Sequence, residues 1–210
     1  MADKTDKAIK IKIMTLGNSD VGKTSFIIKY ANEKFSESKI SSIGIDLITK
    51  EIVLNDKKYI LQFYDTAGQE RYKSLSFSTI KGSDGSLLMY DITNQVSFDS
   101  ISKWMEGIAA NKGNDFPIVL IGNKCDLADK RVILLEEGEE LSKEYNLPFY
   151  ETSCKDGTNI EKSVLDLVNR IIEKKKTKSI KDDQSSFKIK EKEEKNEIKE
   201  KKKKSFWSKC

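Results

Sequence analysis

The eight residues Gly17-Asn18-Ser19-Asp20-Val21-Gly22-Lys23-Thr24 satisfy the pattern G-x-x-x-x-G-K-[ST] at each fixed position. An apolar, partly alternating run, Ile9 to Leu16, precedes them, and a helix-compatible stretch, Ser25 to Asn32, follows. A glycine-rich turn between a strand and a helix is the setting in which such a loop holds phosphate. The glycines let the backbone curl, so that the N–H groups of Asn18, Ser19, Asp20, Val21, Gly22, Lys23, Thr24 and Ser25 surround one centre at the positive end of a helix. Lys23 then reaches the β- and γ-phosphates, and the Thr24 hydroxyl is an oxygen ligand suited to Mg2+.

The rest of the chain alternates strand-like and helix-like segments. Ile43 to Leu54 and Lys57 to Tyr64 read as two strands joined at Asn55-Asp56, close enough for a hairpin and an antiparallel edge. Ser86 to Asp91, Pro117 to Gly122 and Pro148 to Thr152 read as further strands, the first two continuously apolar and therefore buried on both faces. Helices are expected over Val96 to Asn111, Glu136 to Asn146 and Asn159 to Glu173, the last with Ile160, Val164, Leu167, Val168 and Ile171 on one face. The expected fold is a doubly wound α/β domain: a six-stranded, mostly parallel sheet with one antiparallel edge strand and five flanking helices, its ligands at the carboxyl ends of the strands.

Charge divides the chain. Residues 174–210 carry 15 Lys against 7 Asp or Glu, a net +8, whereas the whole chain is only +4, so residues 1–173 are at −4. The expected organisation is a nucleotide-binding domain over 1–173 and a disordered basic tail over 174–210 that visits an anionic surface. Specific nucleic-acid binding is not expected, because Glu interrupts the lysines and no folded platform presents them. The sequence contains no histidine, which removes histidine base chemistry and histidine metal sites. Cys125, Cys154 and Cys210 lack metal-ligand spacing and suit a reducing compartment. No apolar run approaches the ~20 residues of a membrane span, and the charged N-terminus is unlike a signal peptide; a cytoplasmic protein is expected.

Two further motifs follow strands. Asp65-Thr66-Ala67-Gly68-Gln69-Glu70 places a carboxylate at a strand end, where it holds a water of Mg2+, and a glycine whose N–H is offered to a γ-phosphate. Asn123-Lys124-Cys125-Asp126 ends another strand, and its aspartate is able to accept from the N1–H and 2-amino group of guanine, a donor pair adenine lacks. With Thr152-Ser153-Cys154-Lys155, these motifs stand in an order and spacing that resembles a Ras-superfamily small GTPase over residues 8–173. Ser42-Ile43-Gly44-Ile45-Asp46, Gln69-Glu70-Arg71-Tyr72 and the basic tail ending in cysteine resemble the Rab branch most closely.

The resemblance implies GTP/GDP and Mg2+ as ligands, and a role for each matching position. Phe35 would lie against the guanine, with Asn123, Lys124, Asp126 and Ser153, Cys154 and Lys155 around the base. Thr24, Ser42 and Asp65 would serve the metal, the last through water, and Gly68 would bond the γ-phosphate. Gln69 would orient the attacking water while Lys23 neutralises developing charge. No evident arginine acts in cis, so hydrolysis is expected to be slow until a GTPase-activating protein supplies one. The implied product is a switch that hydrolyses GTP, recruits effectors in vesicle traffic through Glu37–Leu47 and Gly68–Ile80, and depends on an exchange factor. A GTP-binding recruiter that hardly hydrolyses is the alternative; an ATP-using phosphotransferase is disfavoured by the Asn123–Asp126 motif.

Departures from the family pattern are local. Ser42 stands where threonine is usual, Asp20 puts a carboxylate in the phosphate loop, and Leu47, Tyr64 and Thr79-Ile80-Lys81-Gly82-Ser83 replace common residues on effector-facing surfaces. Cys210 follows Lys201–Lys204 and Phe206-Trp207 and reads as a single geranylgeranyl acceptor, the alternative being an unmodified thiol on a tail that binds membrane by charge alone. One lipid plus a polybasic segment supplies the two signals that peripheral anchoring to a cytosolic membrane face needs, and implies prenylation and GDP-dissociation machinery as partners.

Overall fold

The computed structural model of the 210-residue chain describes residues 8–32, 41–43, 45–65 and 80–178. The chain divides into two units, 1–171 and 172–210. In the first unit one sheet carries the site. Its strands are β1 (Ile9–Leu16), β2 (Ser41–Ile43), β3 (Ile45–Leu54), β4 (Lys57–Tyr64), β5 (Gly85–Asp91), β6 (Ile118–Asn123) and β7 (Phe149–Thr152), in the spatial order β2-β3-β4-β1-β5-β6-β7.

The six expected strands are all present, and the three-residue β2 adds to the antiparallel edge by pairing with β3. β3 and β4 form the expected hairpin, with Leu54 opposite Lys57. Asn55 and Asp56 both have positive φ, 49° and 60°, the left-handed pair that a two-residue turn needs if it is to match strand twist. β1 lies between β4 and β5, parallel to both, and β5, β6 and β7 continue the parallel run. Because these five strands point the same way, residues 17, 65, 91, 123 and 152 all come to one edge of the sheet.

β5 and β6 are buried at every position, as continuously apolar strands covered on both faces should be. The stripe Ile160, Val164, Leu167, Val168 and Ile171 on the last helix is 0–1% exposed. Gly85 allows that close packing, because a Cβ there would stand 2.6 Å from Ile171 Cδ1.

The other helices are α1 (Lys23–Asn32), α2 (Gln95–Asp99), α3 (Ile101–Lys112) and α4 (Leu135–Glu144), with a 3-10 turn at Ala128–Lys130. The single helix expected over Val96 to Asn111 is thus two. The division falls at Ser100, where ψ drifts to −12° and both the backbone N–H and the hydroxyl donate to the Val96 carbonyl. A serine hydroxyl that bonds back to the preceding turn competes with regular helix and bends it. In the second unit, residues 172–178 are helical, so winding goes on past Glu173, the expected end, with the Thr177 hydroxyl donating to the Glu173 carbonyl at 3.0 Å. The rest of the expected tail lies outside the described residues. Among the described residues no helix is long and apolar enough to cross a membrane.

Candidate nucleotide site

The loop from β1 to α1 is shaped by its glycines. Gly17 has φ 137°, and a Cβ there would lie 2.1 Å from the Met89 carbonyl oxygen, so only glycine lets β1 and β5 run side by side into the loop. Gly22, at φ 97°, would place a Cβ 2.3 Å from Asn123 Nδ2. Asp20 is also left-handed, at φ 64°, and it and Ser19 are exposed. α1 has no acidic residue in its first turn, so its terminal N–H groups and dipole meet no competing negative charge on their own helix.

Lys23 opens that helix and is only 4% exposed. Its ammonium donates to the Gly17 carbonyl at 3.1 Å and the Asn18 carbonyl at 2.7 Å, which folds the side chain back over its own loop. Asn18 is itself held from outside the loop: Trp104 Nε1–H donates to its Oδ1 at 3.1 Å, and its Nδ2 donates to Ser100 Oγ at 2.9 Å. Thr24 Oγ1 donates to Asp65 Oδ2 at 2.5 Å, joining the start of α1 to the end of β4. A hydroxyl and a carboxylate meeting beside a phosphate loop are hard oxygen donors of the kind Mg2+ prefers. Mg2+ is usually held by one or two carboxylates together with substrate phosphate oxygens and water.

The second half of the site is braced by Asn123, 1% exposed at the end of β6. Its Nδ2 donates to the Val21 carbonyl at 2.8 Å, and its Oδ1 accepts from Thr152 Oγ1 at 3.0 Å and from Cys154 Sγ at 3.5 Å. One amide therefore ties the phosphate loop to β7 and to the loop beyond it. Lys124 is left-handed, φ 68°, and its ammonium pairs with Asp91 at 2.6 Å. Asp91 uses its other oxygen to accept from both Thr93 N–H and Thr93 Oγ1 at 2.8 Å. Asp126 is half-buried, and Lys155 is exposed. Ser153 is fully buried, with its hydroxyl oxygen accepting from the Lys155 and Asp156 N–H groups at 3.2 and 3.3 Å.

Burial pushes the Cys154 thiol above its ordinary pKa, with the Asn123 contact pulling the other way. Cys125 is raised too, chiefly by burial and then by Glu151. Two more residues frame this side: Arg131 grips Glu151 through two nitrogens, at 2.5 and 2.8 Å, joining the segment after Asp126 to the strand that leads into Ser153. That hydrogen bond holds the Arg131 pKa above its ordinary value.

Of the sequence-predicted residues, Asn18 to Ser25, Asp65, Asn123, Lys124, Asp126 and Ser153 to Lys155 lie along one sheet edge. Ser42 is placed only as backbone, opposite Asp46 in the β2–β3 pairing. Phe35, Gly68, Gln69 and Cys210 lie outside the described residues. Sequence reading missed Asp91, Arg131, Glu151, Ser100 and Trp104, and it placed Thr152 in a motif without its bond to Asn123. Asp91 alone carried a local signal, a carboxylate closing an otherwise apolar strand; the others act through partners distant in sequence.

The fold and the glycine loop define a class: a phosphate-loop nucleotide-binding protein. Comparison with known sequences narrows it, since the Ras family profile matches residues 12–173. The chain is 43% identical over 174 residues to Ras-related protein Rab-10 of Diplobatis ommata, covering 83% of this chain and 86% of that one. It is 41% identical over 163 residues to Ras-related protein Rab-3C of Bos taurus (78% and 72% covered), and 42% identical over 163 residues to Ras-related protein Rab-3A of Homo sapiens (78% and 74%). The chain belongs to the Ras family, in its Rab branch, and is a GTPase that converts GTP to GDP.

Proposed function

We propose that this GTPase is a magnesium-dependent switch that hydrolyses GTP slowly and recruits effectors to a membrane in vesicle traffic. The observation that carries the reading is the 2.5 Å contact between Thr24 and Asp65 beside the buried Lys23. Lys23 opens α1 and Asp65 opens the Asp65–Glu70 motif, so a ligand held beside this contact would couple the phosphate loop to the segment that carries Gly68 and Gln69.

Asn18 to Ser25 hold the phosphates through N–H groups, and Lys23 balances their charge. Thr24 and Ser42 supply hydroxyl oxygens that would hold Mg2+, and Asp65 acts through water; the ion when bound lowers the charge on the β- and γ-phosphate oxygens. Gln69 positions a water for in-line attack on the γ-phosphoryl, and bond cleavage leaves GDP. Asp126 accepts from guanine, Phe35 covers its face, and Ser153 to Lys155 close the other side. Loss of the γ-phosphate releases the segments Glu37–Leu47 and Gly68–Ile80, which effectors, an exchange factor and an activating protein read. Residues 174–210 with a prenylated Cys210 hold the protein on the cytosolic face of a membrane, and a GDP-dissociation partner retrieves it.

Nucleotide release measured with and without a chelator tests this. Removing Mg2+ should speed GDP release from the wild-type protein by about tenfold or more, and Asp65→Ala should lose most of that difference. Release insensitive to Mg2+ in the wild type would overturn the metal assignment, and ATP competing equally with GTP would overturn the assignment of Asp126.

A further inference from the structure

We propose that Trp104 and Ser100, on the helix pair that follows β5, are positioning residues for the phosphate loop and set how tightly the β-phosphate of the nucleotide is held. The inference rests on the nucleotide site proposed above and extends it to residues that touch no nucleotide.

Asn18 is the first residue after Gly17 and is placed twice over. Its backbone carbonyl takes the Lys23 ammonium at 2.7 Å. Its side chain is claimed by the helix pair: the indole N–H of Trp104 donates to Oδ1 at 3.1 Å, and Nδ2 donates to Ser100 Oγ at 2.9 Å and toward the Val96 carbonyl at 3.5 Å. Both ends of the amide are therefore fixed, which sets its orientation and the turn that bears it. A loop that must point successive N–H groups at one phosphate gains from such a strut, because an unheld loop would lose conformational freedom each time nucleotide bound.

The strut is itself rigid. Trp104 is 2% exposed and packs in the core cluster with Leu16, Tyr90, Ile92 and Ile101. Ser100 sits at the break between α2 and α3, where its hydroxyl donates to the Val96 carbonyl at 2.7 Å and its oxygen stays available to Asn18. Ser100 and Trp104 are four residues apart, one helical turn, so both reach the same polar side chain. The sequence separations are 82 and 86 residues, so no local pattern reveals the contact. Its effect should fall on the part of the nucleotide that Lys23 and the start of the loop reach, leaving base recognition at Asn123 to Asp126 unaffected.

The test uses the full chain carrying Trp104→Phe, which keeps an aromatic ring in the core and removes the N–H. Ser100→Ala is a second variant that removes one hydroxyl. GDP dissociation and GMP affinity are measured for each, with thermal unfolding alongside. Losing one net hydrogen bond corresponds to about a fivefold change. Trp104→Phe should release GDP about fivefold faster and Ser100→Ala about threefold faster, with GMP affinity unchanged. Adding Trp104→Phe to Asn18→Ala should give little further acceleration, because both remove the same bond. In the Trp207→Phe background, where Trp104 is the only tryptophan, stripping nucleotide should shift its emission, and Asn18→Ala should abolish the shift.

Equal weakening toward GDP and GMP, or an unchanged GDP off-rate in both variants, would overturn the inference. If Trp104→Phe fails to fold, Ser100→Ala decides by the same criteria. A wild-type protein that binds no guanine nucleotide would instead overturn the proposed function, which separates the two failures.

Discussion

Asp20 is the residue at which loop geometry and charge oppose each other. Its φ of 64° is one that aspartate and asparagine adopt more readily than other side-chain-bearing residues, so the backbone accepts it. Its charge sits in a loop meant for anions, and two like charges ~5 Å apart repel appreciably at the effective dielectric of a protein surface. Asp20→Asn keeps the conformation and removes the charge; it should slow GDP release by about threefold, and an unchanged rate would show that the carboxylate is screened. The thiols give a pH dependence. Cys125 and Cys154 have folded pKa values raised mainly by burial, so the folded state holds their protons longer than the unfolded chain does. Their contribution to stability is complete below the unfolded thiol pKa and is lost as pH rises through the higher folded values. Wild-type stability in urea should therefore fall above about pH 9 more steeply than that of Cys154→Ala, and parallel curves would contradict this.

At the scale of elements, α4 and β7 meet over Tyr90. The Tyr90 ring stacks on Phe149, centroids 6.4 Å apart and planes 6° apart, and meets Phe98 edge-on at 5.0 Å. Its hydroxyl is buried with no hydrogen-bond partner among the described residues, and burial drives its pKa upward. A Cβ on Gly138 would lie 2.5 Å from both that oxygen and Phe149 Cζ. Alanine would gain about 1 kcal/mol of helix propensity in α4, yet the clash should dominate, leaving Gly138→Ala net destabilised by about 1–2 kcal/mol. Tyr90→Phe removes an unpaired polar atom and should be neutral or stabilising by up to about 1 kcal/mol, and it should recover part of the Gly138→Ala loss. Unfolding of the two single mutants and the double mutant checks both; a stabilised Gly138→Ala would contradict the packing. These elements were readable in different degrees. The hairpin at Asn55-Asp56 and the stripe on the last helix follow from local rules. The break at Ser100 does not, because apolar periodicity runs through it and carries no sign of the hydroxyl's bond to Val96.

For the whole molecule, the parallel order β4-β1-β5-β6-β7 brings motifs scattered from residue 17 to residue 155 onto one edge. The motifs themselves were legible because each pairs a fixed residue type with a strand end. The braces behind them were not: Asn123 to Val21, Asp91 to Lys124, Arg131 to Glu151 and Trp104 to Asn18 are satisfied only once the strands are side by side. The proposed function makes this GTPase a guanine-nucleotide switch with slow hydrolysis. Single-turnover phosphate release from GTP-loaded protein with Mg2+, compared between the wild type and Gln69→Leu, tests that most directly. Slow release that falls further in Gln69→Leu is the predicted result. Tight GTP binding with no release from either form would contradict it and leave a recruiter in place of a switch.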